Sequence, residues 1–339
     1  MTTELLNQLL LLQQGRIKKG AIKIENMLHF LKLASNNRVL YALLDKLLQE
    51  KLYRNKVELI ELKKIGDEYQ NKLRKTIIFI RKKLDKAEIP FLVAKTYRPL
   101  EYVTVDVDIL TKRGDFEHVK QVLSAVDAEI RECYSKKQVD IIVPGLLRID
   151  LHKGFFWQKS TFLDEELPWK RVSFKQIAGV TVPIPNLETE VILMLLNLLY
   201  ERMYIPLLEY LFLRYTSQKV DWNVIWEQAK RYRWNQALTI ILKKFNLINQ
   251  PLYSEPLLRD GKILTRDIKC NKLIDLPWIF SFRDIGVIFR ERLIKRQSLA
   301  LKDLAYFVFS KTRFHFTQKE RVPIYGHWFD FNRLGQDKR

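Results

Sequence analysis

Cysteine is nearly absent: Cys133 and Cys270 are the two in 339 residues. Two thiols cannot build a disulfide framework or a four-cysteine metal site, and their scarcity makes a reducing, cytoplasmic setting the expectation. Glycine and proline number 11 each, which excludes collagen-like and low-complexity architecture. The chain has no glycine-rich phosphate loop and no nucleophile elbow, which argues against P-loop and serine-hydrolase chemistry. His29, His118, His315 and His327 are scattered without the spacing of a zinc site. A membrane-length apolar run is also lacking. The most apolar stretch, Val191–Leu213, contains Asn197, Glu201, Arg202, Pro206 and Glu209, and reads as two buried helices broken near Pro206. The leucine-rich opening, Met1–Arg16, is interrupted by Asn7, Gln8, Gln13 and Gln14 and lacks the basic lead of a secretory signal, so it reads as a helix.

What is abundant is apolar and basic. Hydrophobic residues make up 47% of the chain, enough at this length to bury the cores of two or more packed units. The 59 Lys and Arg against 39 Asp and Glu leave a net charge of +20. Clustered cations attract polyanions by releasing counterions from a phosphate backbone. Scarce Gly and Met with plentiful Lys, Ile and Leu also fit a thermophile-like surface. The balance leans modestly toward nucleic acid as a partner.

The hydrophobic period divides the chain into three regions, and the expected class is α+β, with no internal repeat. Residues 1–88 are helical, with Leu40, Leu43 and Leu47, then Tyr69, Leu73, Ile77, Ile80 and Leu84 at three- and four-residue steps. The last of these helices carries Lys72, Lys75, Lys82, Lys83 and Lys86 off its apolar stripe, a solvated face or a phosphate-facing ridge. Residues 89–185 form a small mixed sheet. Ile89–Ala94 is a strand, and Val103, Val105, Val107 and Ile109 alternate with Tyr102, Thr104, Asp106 and Asp108 in another. Asp115–Val126 reads as a helix and Ala128–Tyr134 as a strand. Val139–Val143 and Leu146–His152 flank Pro144-Gly145 as a hairpin. Residues 186–339 return to helices over Leu187–Leu199, Ile205–Tyr215, Trp222–Tyr232 and Gln236–Phe245, with Asp221 as an N-cap. Asn249–Leu276 reads as a loop and Phe282–Leu304 as a helix exposing Arg292, Lys295, Arg296 and Lys302. The end is an aromatic and basic tail.

Asp106 and Asp108, two residues apart on a strand, point the same way, and Asp150 on a later strand can complete a shared site for hard divalent cations. Mg2+ or Mn2+ suits such carboxylates, and two ions about 3.5–4 Å apart can activate an attacking hydroxyl and stabilise a leaving oxygen. Asp-x-Asp alone is a weak signal, shared with solvated sheet edges and some glycosyltransferases. Arg148 and His152 fall on the same face as Asp150. Arg148 reads as an ion pair holding Asp150, and His152 as a hydrogen-bond partner to a ligating carboxylate.

The order of these elements resembles the nucleotidyltransferase fold of the DNA polymerase β-like superfamily. Phe91-Leu92-Val93-Ala94 stands as its first strand, Thr104–Leu110 as its acidic strand, and Arg148–His152 as the strand with the third acid. Further likeness, to mostly uncharacterised nucleotidyltransferases of archaea and bacteria with flanking helices, rests on three phrases. These are Lys95-Thr96-Tyr97-Arg98-Pro99, Val182-Pro183-Ile184-Pro185 and Val220-Asp221-Trp222. The resemblance implies a nucleoside triphosphate substrate, an acceptor hydroxyl, and Asp106, Asp108 and Asp150 as catalytic and metal-binding residues. It places Lys95, Thr96 and Arg98 at the triphosphate. One departure is notable: Lys95-Thr96 replaces the superfamily's small Gly-Gly or Gly-Ser pair.

The basic flanks at Lys72–Lys86 and Arg290–Lys302 make RNA, such as tRNA, the expected acceptor. The alternative, motivated by Lys95 and the net charge, is an inactive transferase scaffold that binds nucleic acid or assembles with other molecules. Nothing in the sequence sets the oligomeric state or the nucleotide used.

Overall fold

The computed structural model describes residues 27–49, 56–124, 127–132, 138–154, 156–157, 160–202, 204–253, Leu257 and the short pieces 278–279, 322–324 and 327–329. The expected helices at Met1–Arg16 and Phe282–Leu304 lie outside the described residues, as does most of the aromatic tail. The class is α+β: among the described residues, eight α-helices accompany a five-stranded mixed sheet. No helix among the described residues is long and apolar enough to cross a membrane.

Three helices open the described chain: α1 (Met27–Asn36), α2 (Leu40–Gln49) and the 31-residue α3 (Lys56–Lys86). The apolar stripe of α3 serves two cores. Its Leu59 and Leu62 join α1 and α2 in a core shared with the later helices, while Tyr69, Leu73, Ile77, Ile80 and Leu84 cover the sheet. Each fully buried Leu or Ile contributes about 1.5–3 kcal/mol, so this one helix is strongly held at both ends.

The sheet comprises β1 (Phe91–Ala94), β2 (Asp106–Thr111), β3 (Glu129–Glu132), β4 (Gln138–Ile142) and β5 (Arg148–His152), in the order β1-β2-β5-β4-β3. Helix α4 (Phe116–Ser124) follows β2. The pair β2 and β5 is parallel and the other neighbours are antiparallel. Val107, Ile109, Ile149 and Leu151 are fully buried on one face, and period-two alternation sends the intervening polar residues to the other. Strand β2 begins at Asp106 instead of Val103, because the Thr104 hydroxyl bonds the Asp106 carbonyl at 3.0 Å and Val105 is exposed. The Pro144-Gly145 turn forms as expected: Gly145 has φ +80° and the Leu146 N–H donates to the Val143 carbonyl at 3.1 Å.

A second hairpin, β6 (Ser173–Ile177) and β7 (Val180–Ile184), lays Ile177, Val182 and Ile184 against the sheet core. Its turn residues Ala178 (φ +49°) and Gly179 (φ +76°) both adopt the left-handed region, the twist that a two-residue hairpin requires.

Helices α5 (Leu187–Asn197), α6 (Leu207–Thr216), α7 (Trp222–Arg231) and α8 (Asn235–Tyr253) complete the described body. Between α5 and α6, residues Leu198–Arg202 form a π-helical turn, and Pro206 is the N-cap of α6, where the break was expected. Asp221 caps α7, accepting from the Asn223 N–H at 2.9 Å. Helix α8 runs well past Phe245. Its buried Asn249 accepts from the Tyr210 hydroxyl at 2.6 Å and from Arg214 Nη1 at 2.8 Å, and these tertiary bonds override a polar stretch that reads locally as a helix end.

Candidate active site

The parallel register of β2 and β5 sets Asp108 directly opposite Asp150, Asp106 opposite Arg148, and Leu110 opposite His152. All the polar members stand on the sheet face away from the core. They line a cavity of about 480 Å³ whose other lining comes from the helical region, through Leu193, Met194, Asn197, Arg202 and Glu209, and from Tyr204 in the link between helices. The hydrophobic alternation of two short strands is therefore what gathers the carboxylates.

Asp108 is the focus. Lys95 Nζ lies 2.7 Å from its Oδ1, and His152 Nε2 lies 2.7 Å from the same oxygen. Burial alone would raise the Asp108 carboxyl, but the Lys95 ammonium, with the hydrogen bond and charge of His152, holds it well below the usual carboxylate range. Asp150 behaves oppositely. Burial first, then the charges of Asp108 and Asp106, push its carboxyl up to about 8, against the opposing pull of Arg148. Two carboxyls side by side with separated proton affinities suit acid–base work.

Arg148 bridges its neighbours. Its Nε donates to Asp150 Oδ1 at 2.7 Å and its Nη2 to Asp106 Oδ2 at 2.7 Å, the ion pair expected from the sequence. Asp106 also accepts from the Thr104 hydroxyl at 3.1 Å. Oxygen and nitrogen atoms of Asp108, Asp150 and His152 all lie within 4.8 Å of one another, close enough to share a cation. The structure thus brings His152 into that cluster, while Asp106 stands beside it under Arg148.

Lys95 and Thr96, where the small pair was expected, follow β1. Lys95 has φ +56°, a conformation that costs a non-glycine residue about 1–2 kcal/mol. Its N–H donates to Glu190 Oε1 at 3.1 Å, so a buried carboxylate on α5 holds the turn that aims the ammonium at Asp108. The Thr96 hydroxyl donates to the Ala94 carbonyl at 3.0 Å. Arg98 lies under the cavity, only 5% exposed, with Nε 2.8 Å from Glu209 Oε2 and Nη1 3.7 Å from Glu190 Oε2. Burial first raises the Glu190 carboxyl to about 7, opposed by Arg98 and the Lys95 N–H.

A sequence model of a protein family, described as uncharacterised nucleotidyltransferase, matches residues 25–248, about two thirds of the chain. The chain belongs to this nucleotidyltransferase family. The match spans α1 through most of α8, so the helices around the cavity are as much part of the family pattern as the acidic strands. No curated protein matches the chain, and no solved structure does either.

Sequence reasoning missed Arg38, Glu190, Arg202 and Glu209 at the site. Arg202 and Glu209 interrupt the apolar Val191–Leu213 stretch, which argued against a membrane span. Their second meaning was available there too, because charges inside an apolar helix pair are kept only when they are paired or used.

Proposed function

We propose that this nucleotidyltransferase is a divalent-metal-dependent enzyme that moves a nucleotidyl group from a nucleoside triphosphate to an acceptor hydroxyl. The observation that carries the reading is the Asp108–Asp150 register inside a cavity that also holds Asp106, Lys95 and Thr96. The donor set fits a divalent cation: two carboxylates and an imidazole converge from adjacent strands. Oxygen ligands suit Mg2+, and the added nitrogen of His152 suits Mn2+. Asp108, Asp150 and His152 would hold the metal, and Asp106, beside them under Arg148, would join as a further carboxylate. When bound, the metal supplies charge stabilisation to the phosphoryl oxygens and to the entering hydroxyl.

The chain's own groups divide the remaining work. Lys95 carries its ammonium on a strained, fixed turn and turns from Asp108 to the triphosphate. Thr96 offers a hydroxyl beside it, and Arg98 holds the floor through Glu209. Asp150, ionised when a metal is held beside it, takes the proton of the acceptor hydroxyl as that oxygen bonds the α-phosphorus and pyrophosphate leaves. Arg148 keeps that carboxylate oriented.

The acceptor in this reading is RNA, of which tRNA is one example. Lys72, Lys75, Lys82 and Lys86 are exposed along α3, and the complementary basic stretch Arg290–Lys302 lies outside the described residues. Incubation with labelled triphosphate and mixed cellular RNA tests this: incorporation by the wild type, lost in Asp108→Ala, is expected. RNA affinity should fall by orders of magnitude between about 50 and 200 mM salt. Affinity unchanged over that range would redirect the search to small-molecule or protein acceptors.

A second reading is favoured by Lys95 alone, whose ammonium already neutralises Asp108 as a cation would. On that reading the scaffold is inactive and binds nucleic acid without catalysis. Melting separates the two: magnesium with triphosphate should raise the midpoint of the wild type but not of Asp108→Ala if the site is live.

A further inference from the structure

The cavity has a second charged wall. Arg38, at the end of α1, and Arg202, in the π-helical turn after α5, line it together with Arg98. Glu209 is the carboxylate that Arg38 and Arg98 share: Arg38 Nη1 donates to its Oε1 at 2.7 Å and Arg98 Nε to its Oε2 at 2.8 Å. Arg202 Nε is steered by Asn197 Oδ1 at 2.6 Å. The other carboxylates of the cavity are on the sheet side, where Lys95 and Arg148 pair with them, whereas on the helical side three guanidiniums lie around the single carboxylate of Glu209.

Arg38 occupies a costly position. Helix α1 ends with the Val39 N–H donating to the Ala34 carbonyl and the Arg38 N–H to the Ser35 carbonyl, the paired bonds of a Schellman ending. Glycine normally fills the left-handed residue of that motif, yet here Arg38 holds φ +61°. Glu88 and Arg233 fill the same position at two other helix ends, so it is the cavity lining that distinguishes Arg38, and the turn serves to aim its side chain there. The neighbouring Asn37 fixes the geometry, since its side-chain and backbone oxygens accept the Leu207 and Leu208 N–H groups at 2.9 and 3.1 Å. That tie brings the end of α1 to the start of α6, and so Arg38 to Glu209. Burial first, and then the charge of Arg202, lower Arg38 from its ordinary value, a repulsion that an anion between the two would reverse.

We infer that Arg38 and Arg202 form an anion subsite for the β- and γ-phosphates of a nucleoside triphosphate, supplied by the helical wall opposite the acidic strands. Resting on the transferase reading, it adds where the polyphosphate tail lies. Guanidinium groups suit phosphate because their planar donors match its oxygens in pairs. The tail would reach from the helical wall toward the carboxylate wall, and Arg98, sealed against Glu209, would stay as support.

Inorganic tripolyphosphate with EDTA, titrated calorimetrically into the full chain, isolates this wall from any metal. The wild type should bind it, excess nucleoside triphosphate should compete, and Arg202→Gln and Arg38→Gly should each weaken binding at least tenfold. Arg38→Gly removes the guanidinium while relaxing the turn, and circular dichroism confirms that each variant is folded. Asp108→Asn should bind tripolyphosphate at least as well as the wild type. Absence of binding by the wild type, failure of the nucleotide to compete, or affinities within twofold of wild type in both arginine variants would overturn the subsite. Tripolyphosphate binding through Arg38 and Arg202 without nucleotidyl transfer would keep the subsite and refute the transferase. Transfer with nucleotide affinity unaltered in both variants would do the reverse.

Discussion

Replacing Glu209 by Gln removes the carboxylate between two buried guanidiniums while keeping its shape. The Glu209 side chain is 2% exposed; Arg98, 5% exposed, lies 2.8 Å from it and Arg38, 22% exposed, 2.7 Å. Breaking such a buried pair costs about 3–5 kcal/mol, because the surviving charges remain desolvated and uncompensated. Glu190, 3.7 Å from Arg98, still offsets part of that charge, so about 3 kcal/mol is expected. At roughly 2–4 °C per kcal/mol for a body of 150–250 residues, the midpoint should fall by about 6–12 °C. The sign with pH follows from the carboxyl. Burial alone would raise Glu209, but Arg98, Arg38 and Arg202 outweigh it and lower it below its ordinary value. Its stabilisation is therefore present above the ordinary carboxylate range and lost as pH falls through the folded value, so the gap between wild type and variant should close in acid. Urea unfolding followed by circular dichroism reads both effects. A loss below about 1 kcal/mol at neutral pH would refute the reasoning, since surface ion pairs already reach that size.

Other consequences concern the sheet and the metal. Since the Asp150 carboxyl is pushed up to about 8, its protonated form favours the metal-free fold, a contribution lost as pH rises through that value. Calorimetric Mn2+ affinity should accordingly rise close to tenfold per pH unit below about 8 and level off above it; a flat profile in the wild type counts against proton displacement. Lys95→Met removes the ammonium 2.7 Å from Asp108 and should strengthen Mn2+ binding by up to about tenfold, and weaker binding would show that Lys95 assists the ion. Thr76→Val deprives the buried Leu147 N–H of the hydroxyl that accepts it at 2.9 Å and should cost about 1–3 kcal/mol in urea unfolding; a change under about 0.5 kcal/mol would contradict that.

The acidic strands were legible because period-two alternation is local. Val107 and Ile109 beside Asp106 and Asp108, and Ile149 and Leu151 beside Asp150, announce the two faces without any tertiary information. Strand pairing was partly legible: the Pro144-Gly145 turn makes β4 and β5 antiparallel neighbours, but the parallel pairing of β5 with β2 is a long-range fact. The β6–β7 hairpin was missed since its turn, Ala178-Gly179, lacks the usual Asn-Gly or Asp-Gly signature. The helical wall was hidden for a different reason. Arg38 and Glu209 are far apart in sequence and meet only because Asn37 ties α1 to α6, which no spacing rule reveals. Lys95 was visible as a departure from the superfamily's small pair, whereas its support, Glu190, emerges only from packing.

The central claim is that the carboxylates of β2 and β5 carry nucleotidyl transfer. Parallel incubations with triphosphate labelled at the α- or the γ-phosphorus, in the presence of Mg2+ or Mn2+, test it most directly. The account predicts that α-label reaches the acceptor with release of pyrophosphate, and that Asp108→Ala and Asp150→Ala lower the rate by at least about a hundredfold, as loss of a group central to transition-state stabilisation does. Equal incorporation by wild type and Asp108→Ala, or transfer of the γ-label instead, would contradict it.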